Sequence, residues 1–189
     1  KTLEKYSGME VFDVKEFELE KISMLSTPHS VLAVFEQHHQ IEPVDIKQKL
    51  TLVLDNIQDP GNMGTIIRTA DWFGVDNIIC SHACADKYNP KVVQSTMGSL
   101  SRVNVYYTDL GEWLQKNTSI KIYATALDGN NISTVNNIKE AIIIIGNEGK
   151  GISEPVMQLV NEKITIPKIG EAESLNAAVA TGIILAMLN

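Results

Sequence analysis

The chain is poor in several things, and each scarcity narrows what it can be. Of 189 residues only Cys80 and Cys84 are cysteine, too few for a disulfide framework. With no apolar signal core at the N-terminus, they fit a reducing, cytoplasmic setting. No apolar run approaches the roughly 20 residues that cross a bilayer; the longest surrounds Ala141 to Ile145, so no membrane association is expected. Basic residues are outnumbered, 16 Lys plus Arg against 23 Asp plus Glu, for a formal net charge of −7. Neither residues 1–50 (six basic, nine acidic) nor residues 51–189 (ten and fourteen) form a basic module. Any grip on a polyanion is then local, shared between subunits, or made by residues outside this chain. Cys80, His82 and Cys84 form a C-x-H-x-C cluster, but a structural zinc site needs four ligands. No metal is expected.

What is present is globular: 44% hydrophobic and 21% charged residues, enough for one domain core and a smaller appendage. The chain opens Lys1-Thr2-Leu3-Glu4 without a methionine and reads as processed or shortened. A polar, proline-containing stretch from Glu36 to Lys49 suggests a linker. It divides residues 1–40 from a linker at 41–49 and a larger domain at 50–189. In the first part, residues 10–14 and 30–35 read as strands and 15–25 as a helix with Phe17, Ile22 and Leu25 on its apolar face. That is too little for a core of its own, and it looks like the remnant of a small α+β substrate-binding domain.

Beyond the linker, short apolar runs alternate with amphipathic segments of helical length, the pattern of an α/β fold with a mostly parallel sheet and flanking helices. Strands are predicted at 50–55, 77–80, 103–107, 120–125, 141–146 and 163–166. Helices are predicted at 62–73, 90–97, 110–117, 153–160 and 174–188. Several strand candidates are continuous Val, Ile and Leu, as strands buried on both faces require.

Three loops rich in Gly, Pro, Asn and Ser follow strand candidates, where open α/β sheets collect their ligands. The first, from Asn56 to Gly64, runs into a helix whose Met63, Ile66, Ile67, Ala70 and Phe73 form a buried stripe, leaving Arg68 off it. From spacing alone the favoured reading of Arg68 is an exposed i,i+3 pair with Asp71, worth little. The second, from Gly146 to Ser153, carries Asn147, Glu148 and Lys150 among glycines but has neither the Walker A nor the G-x-G-x-x-G spacing. It is either a solvated turn or a small-molecule loop with Glu148 facing hydroxyls or amines. The third, from Pro167 to Asn176, places Ser174 at an N-cap position before a helix almost free of charge, which is deeply buried or packed on a partner chain.

Together, and in this order, these segments resemble the SpoU-type (TrmH-like) RNA 2′-O-ribose methyltransferases of the SPOUT superfamily across residues 50–189. The P-x-N-x-G-x-x-x-R-x-A motif matches Pro60, Asn62, Gly64, Arg68 and Ala70. G-N-E-x-x-G matches Gly146, Asn147, Glu148 and Gly151, and I-P followed by S-L-N matches Ile166, Pro167, Ser174, Leu175 and Asn176. Residues 88–107 are similar to the family's intermediate region, and the N-terminal part resembles the end of a ribosomal-protein-like substrate domain.

The resemblance implies a C-terminal trefoil knot, a homodimer, and S-adenosyl-L-methionine bound by Thr125, Gly146, Asn147, Ile166, Leu175 and Ala177. It implies a catalytic set of Asn62, Arg68, Glu148, Ser174 and Asn176. The implied reaction is methyl transfer to a ribose 2′-hydroxyl of structured RNA, ribosomal RNA slightly preferred over transfer RNA. A guanidinium is practically always protonated, so Arg68 is expected to orient a phosphate and not to act as a base. Two other readings stay open: a non-catalytic RNA- or cofactor-binding module of the same fold, and an ordinary doubly wound nucleotide-binding enzyme.

Overall fold

A computed structural model describes residues 10–23, 27, 29–37, 44–135 and 138–188. The chain forms two compact units, residues 1–38 and 39–189. In the first, helix α1 (Glu16–Ile22) buries no residue, and Phe12, Phe17, Val31 and Phe35 are exposed. The helix predicted at 15–25 thus forms over Glu16–Ile22; Leu25 lies outside the described residues. Among the described residues, the strands expected at 10–14 and 30–35 form no ladder. Apolar composition marks a face, but a strand also needs a neighbour for its N–H and C=O groups.

Among its described residues the second unit contains six strands, β1 (Leu50–Leu54), β2 (Asn77–Ser81), β3 (Asn104–Thr108), β4 (Ile122–Asn131), β5 (Ala141–Ile145) and β6 (Glu162–Thr165). They lie in the order β3-β2-β1-β5-β4-β6, and every pairing is parallel. On β5, Ile143 and Ile145 enter one core cluster while Ile142 and Ile144 enter the other. That is why its sequence is an unbroken apolar run. Helices α2 (Pro60–Trp72), α3 (Pro90–Thr96) and α6 (Ala177–Leu188) bury side chains in the first cluster, α4 (Leu110–Lys116) and α5 (Glu154–Met157) in the second. The layers are helix, sheet, helix. Among the described residues no helix is long and apolar enough to cross a membrane.

Two elements differ from expectation in ways that matter. Helix α5 is a single turn where 153–160 was predicted, because residues after Met157 turn into β6. Strand β4 runs six residues past the predicted Thr125, and both Thr125 and Asn130 partner Ile164 on β6. Residues 126–129 therefore make an irregular excursion, with Gly129 pressed so close to Ile164 that a Cβ would lie 2.6 Å from its backbone carbon.

Chain order fixes where a ligand site can open. From β1 the chain proceeds outward to β2 and β3, then returns to fill the other side with β4, β5 and β6. The carboxyl ends of β1 and β5 lie side by side where direction reverses, which brings the loops that follow them together.

Candidate active site

The loop leaving β5 is built by backbone approach. A Cβ on Gly146 would lie 2.5 Å from the Gly151 carbonyl carbon and 2.6 Å from the Ile152 nitrogen, so only glycine fits. Asn147 and Gly151 then exchange backbone hydrogen bonds of 3.0 and 2.8 Å, with Gly151 in the left-handed region at φ 69°. The Asn147 Oδ1 accepts from the N–H groups of Gly149 and Lys150 (2.9 and 3.1 Å), while its Nδ2 donates to the Asn56 carbonyl (2.9 Å). The hairpin is thereby fixed against the loop after β1, and Glu148 stands at its tip.

Glu148 gathers the other two loops. Its Oε1 accepts from Asn62 Nδ2 (2.8 Å), Asn176 Nδ2 (2.8 Å) and the Ala177 N–H (2.9 Å), and Asn176 Nδ2 also reaches Asn62 Oδ1 (2.8 Å). Asn62 is held by α2, whose N-cap Asp59 accepts from the Asn62 N–H (2.8 Å). The Asn176 orientation is forced: its Oδ1 accepts from the Ala178 and Val179 N–H groups (3.0 and 3.2 Å), so its amide nitrogen must face the carboxylate. Glu148 also sits at the N-terminus of α6, where the helix dipole favours negative charge.

Asn176, and not Ser174, is therefore the N-cap of α6, and the helix begins three residues later than predicted. Ser and Asn cap about equally well, so composition could not choose between them; the contact with Glu148 does. Ser174 has no hydrogen-bond partner among the described residues and lines the neighbouring cleft.

That cleft encloses about 320 Å³ between the end of β4, the 146–151 hairpin, the segment after β6 and the start of α6. Thr125, Gly146, Asn147, Ile166, Leu175 and Ala177, the residues expected to hold the cofactor, all line it, together with Glu148 and Ser174. Thr125 Oγ1 donates to the Ile144 carbonyl (3.0 Å). Ile145, Ile164 and Ile184 add apolar walls, and the volume falls in the range of small-molecule sites.

Arg68 stands apart from this cluster. It is exposed on α2 and joins neither the Glu148 network nor the cleft lining. The i,i+3 pair with Asp71 does not form. Asp71 is instead held in a fork by Arg102, with Nη2 to Oδ2 at 2.6 Å and Nε to Oδ1 at 3.1 Å, a long-range competitor that helical spacing cannot reveal. The Arg102 guanidinium, followed by Ser99, holds the Asp71 carboxyl below its usual range.

The sequence profile of the family described as SpoU rRNA Methylase matches residues 49–186. The chain belongs to the SpoU rRNA methylase family. RlmP of Bacillus subtilis, a 23S rRNA (guanosine(2553)-2′-O)-methyltransferase, is 31% identical over 182 residues, covering 95% of this chain and 72% of its own. A TrmH-family protein from Porphyromonas gingivalis superposes with a TM-score of 0.82 at 39% identity, over 92% of this chain and 71% of that one. An AdoMet-bound rRNA methyltransferase from Sinorhizobium meliloti gives 0.81 at 30% identity, over 92% and 69%. The chain spans 62% and 60% of the curated Synechocystis and Borreliella relatives it matches. The matched SpoU domain is that of an S-adenosylmethionine-dependent RNA methyltransferase, and its six parallel strands with flanking helices are the SPOUT architecture.

Three supports of this SpoU site lay outside the sequence motifs. Asp55 Oδ2 accepts from the Ser153 N–H (2.7 Å), pinning the end of the hairpin loop. Asn56 adopts φ 62°, a conformation asparagine tolerates better than most residues, and so turns its carbonyl toward Asn147. Cys84 accepts from the Ile57 N–H (3.3 Å) and donates to the Leu54 carbonyl (3.2 Å), tying the loop after β2 to the loop after β1. The only sequence signal was an Asp-Asn pair directly after a buried strand.

Proposed function

We propose that this protein transfers the methyl group of S-adenosylmethionine to a ribose 2′-hydroxyl of ribosomal RNA. The observation that carries the reading is the Glu148 junction, which ties the three motif loops together beside an apolar cleft through Asn62, Asn176 and Ala177. The residues fit the donor: Ile164, Ile166 and Leu175 offer faces for an adenine, and the 146–151 hairpin offers backbone polar groups. S-adenosylmethionine supplies a methyl group activated by an adjacent sulfonium. The chain's residues then have to hold a hydroxyl in line with that methyl group.

Glu148 Oε1 is saturated by three donors and acts as an anchor for Asn62 and Asn176. Ser174, free of partners among the described residues, hydrogen-bonds the ribose, and Arg68 binds the adjoining phosphate through its fixed fork of donors. Ribosomal RNA is favoured over transfer RNA by the Bacillus relative, which matches 95% of this chain. The same reading takes the C-terminal segment as a trefoil knot, the working unit as a cytoplasmic homodimer, and the exposed Val179 and Met187 of α6 as part of its interface.

The test is methylation of ribosomal RNA by the purified chain with methyl-labelled S-adenosylmethionine, followed by alkaline hydrolysis. Label in alkali-resistant dinucleotides is the expected result, because a 2′-O-methyl group blocks cleavage at that bond. Label on bases, or none, sinks the reading. RNA binding without S-adenosylmethionine binding in calorimetry would point to a non-catalytic module.

A further inference from the structure

An acidic chain that acts on a polyanion needs a local grip, and one exposed helix face has the chemistry for it. On α2 the stripe of Met63, Ile66, Ile67 and Ala70 is fully buried, which fixes the rotation of the helix. Thr65, Arg68 and Trp72, three and four residues apart, are thereby turned outward on the opposite side. Trp72 is 84% exposed, although its side chain is among those with most to gain from burial. Arg68 has no ion pair or hydrogen bond among the described residues.

The charge around these two residues is arranged, not neutral. Asp71 is the one acid in α2, and Arg102 occupies it with a two-pronged contact. The face therefore carries two guanidiniums against one carboxylate in a chain of net charge −7. Arg68 and Trp72 lie one helical turn apart, about 6 Å along the axis. A bare indole beside an unopposed guanidinium matches what single-stranded nucleic acid offers, a π-face next to a phosphate.

We infer that Trp72 is a stacking platform for an unpaired RNA base, with Arg68 on the phosphate that links this base to the nucleotide being methylated. The inference rests on the RNA methyltransferase reading. It adds a contact that selects substrates in which the neighbouring nucleotide can unstack. The other occupant this face could take is a second copy of the chain, and the experiment separates the two.

The full chain is titrated with fluorescein-labelled single-stranded decaadenylate at low salt, as wild type and as Trp72→Phe, Trp72→Leu and Trp72→Ala. Each protein is also tested by S-adenosylmethionine calorimetry and by sedimentation. Trp72→Ala and Trp72→Leu should each weaken decaadenylate about 10-fold, the size of one lost base stack. Trp72→Phe should stay close to wild type, and S-adenosylmethionine affinity and sedimentation should not change. Equal oligonucleotide affinity for Trp72→Ala and wild type overturns the inference, as does a wild-type chain that does not bind decaadenylate. A sedimentation change in Trp72→Ala that Trp72→Leu reverses, with oligonucleotide affinity unaltered, overturns it in favour of a chain-to-chain contact. The two readings fail separately. Oligonucleotide binding through Trp72 without S-adenosylmethionine binding sinks methyl transfer alone, and unimpaired methylation by Trp72→Ala sinks the platform alone.

Discussion

Gly146→Ala gives the sharpest test of how the cleft is held. The added methyl would sit 2.5 to 2.7 Å from the Gly151 carbonyl carbon, the Ile152 nitrogen and the Gly151 oxygen. Ordinary carbon contacts lie near 3.5 to 4.0 Å, so the hairpin would have to retreat by about 1 Å. Nothing nearby can yield cheaply, because all three atoms are backbone. The hairpin is closed by the Asn147–Gly151 pair, and Asn147 and Ser153 are tied back to Asn56 and Asp55. Overpacking of this kind costs about 1–3 kcal/mol, which lowers Tm by roughly 2–4 °C per kcal/mol in a chain of this size. The retreat also displaces the cleft wall, so S-adenosylmethionine affinity should fall at least about 10-fold, or about 1.4 kcal/mol. Gly149→Ala is the control, since its Cβ would meet nothing nearer than Asn147 Oδ1 at 3.7 Å. Thermal unfolding and calorimetry on both variants decide the matter. Wild-type Tm and affinity in Gly146→Ala would refute the claim that backbone approach at this glycine shapes the cleft.

Three further outcomes are expected. Asn176→Ser keeps a capping oxygen for α6 and should hold Tm within about 2 °C, yet it loses the amide donor to Glu148 and Asn62. Methylation should drop at least about 10-fold, or roughly 1.4 kcal/mol of transition-state stabilisation, and unchanged kinetics would show that the bridge has no role. Arg68→Lys keeps the charge without the fork. It should leave Tm and S-adenosylmethionine affinity unaltered while slowing RNA methylation, and a wild-type rate would remove Arg68 from the site. The Asp71 carboxyl is depressed in the folded state by Arg102, so its contribution is present above the ordinary carboxylate pKa and is lost as pH falls through the lowered folded value. An NMR titration should therefore find Asp71 ionised below pH 3.8 in the wild type, and returned toward that value in Arg102→Ala.

The division of labour between sequence and tertiary structure follows from the range over which each signal acts. Periodicity acts over one or two turns, so β5 as a strand buried on both faces and α2 with its Met63–Ala70 stripe are legible in the sequence alone. Motif order made the three loops and their residues legible too, but as separate strings, each with an ordinary explanation as cap, turn or surface pair. The choice of Asn176 over Ser174 as cap, and of Arg102 over Arg68 as partner of Asp71, depended on contacts across 28 and 31 residues. The supporting contacts of Asp55 and Asn56 are invisible in the sequence for the same reason, their partners lying 98 and 91 residues away. The N-terminal strands, absent among the described residues, differ in the opposite direction, since apolar composition can mark a face but cannot supply the neighbour that pairs with it. The sequence by itself determined which segments are buried and which loops carry polar, ligand-facing residues. Only the tertiary structure decided that one carboxylate oxygen of Glu148 would join all three loops, because a hydrogen bond depends on where two backbones meet and not on how far apart they are in the chain.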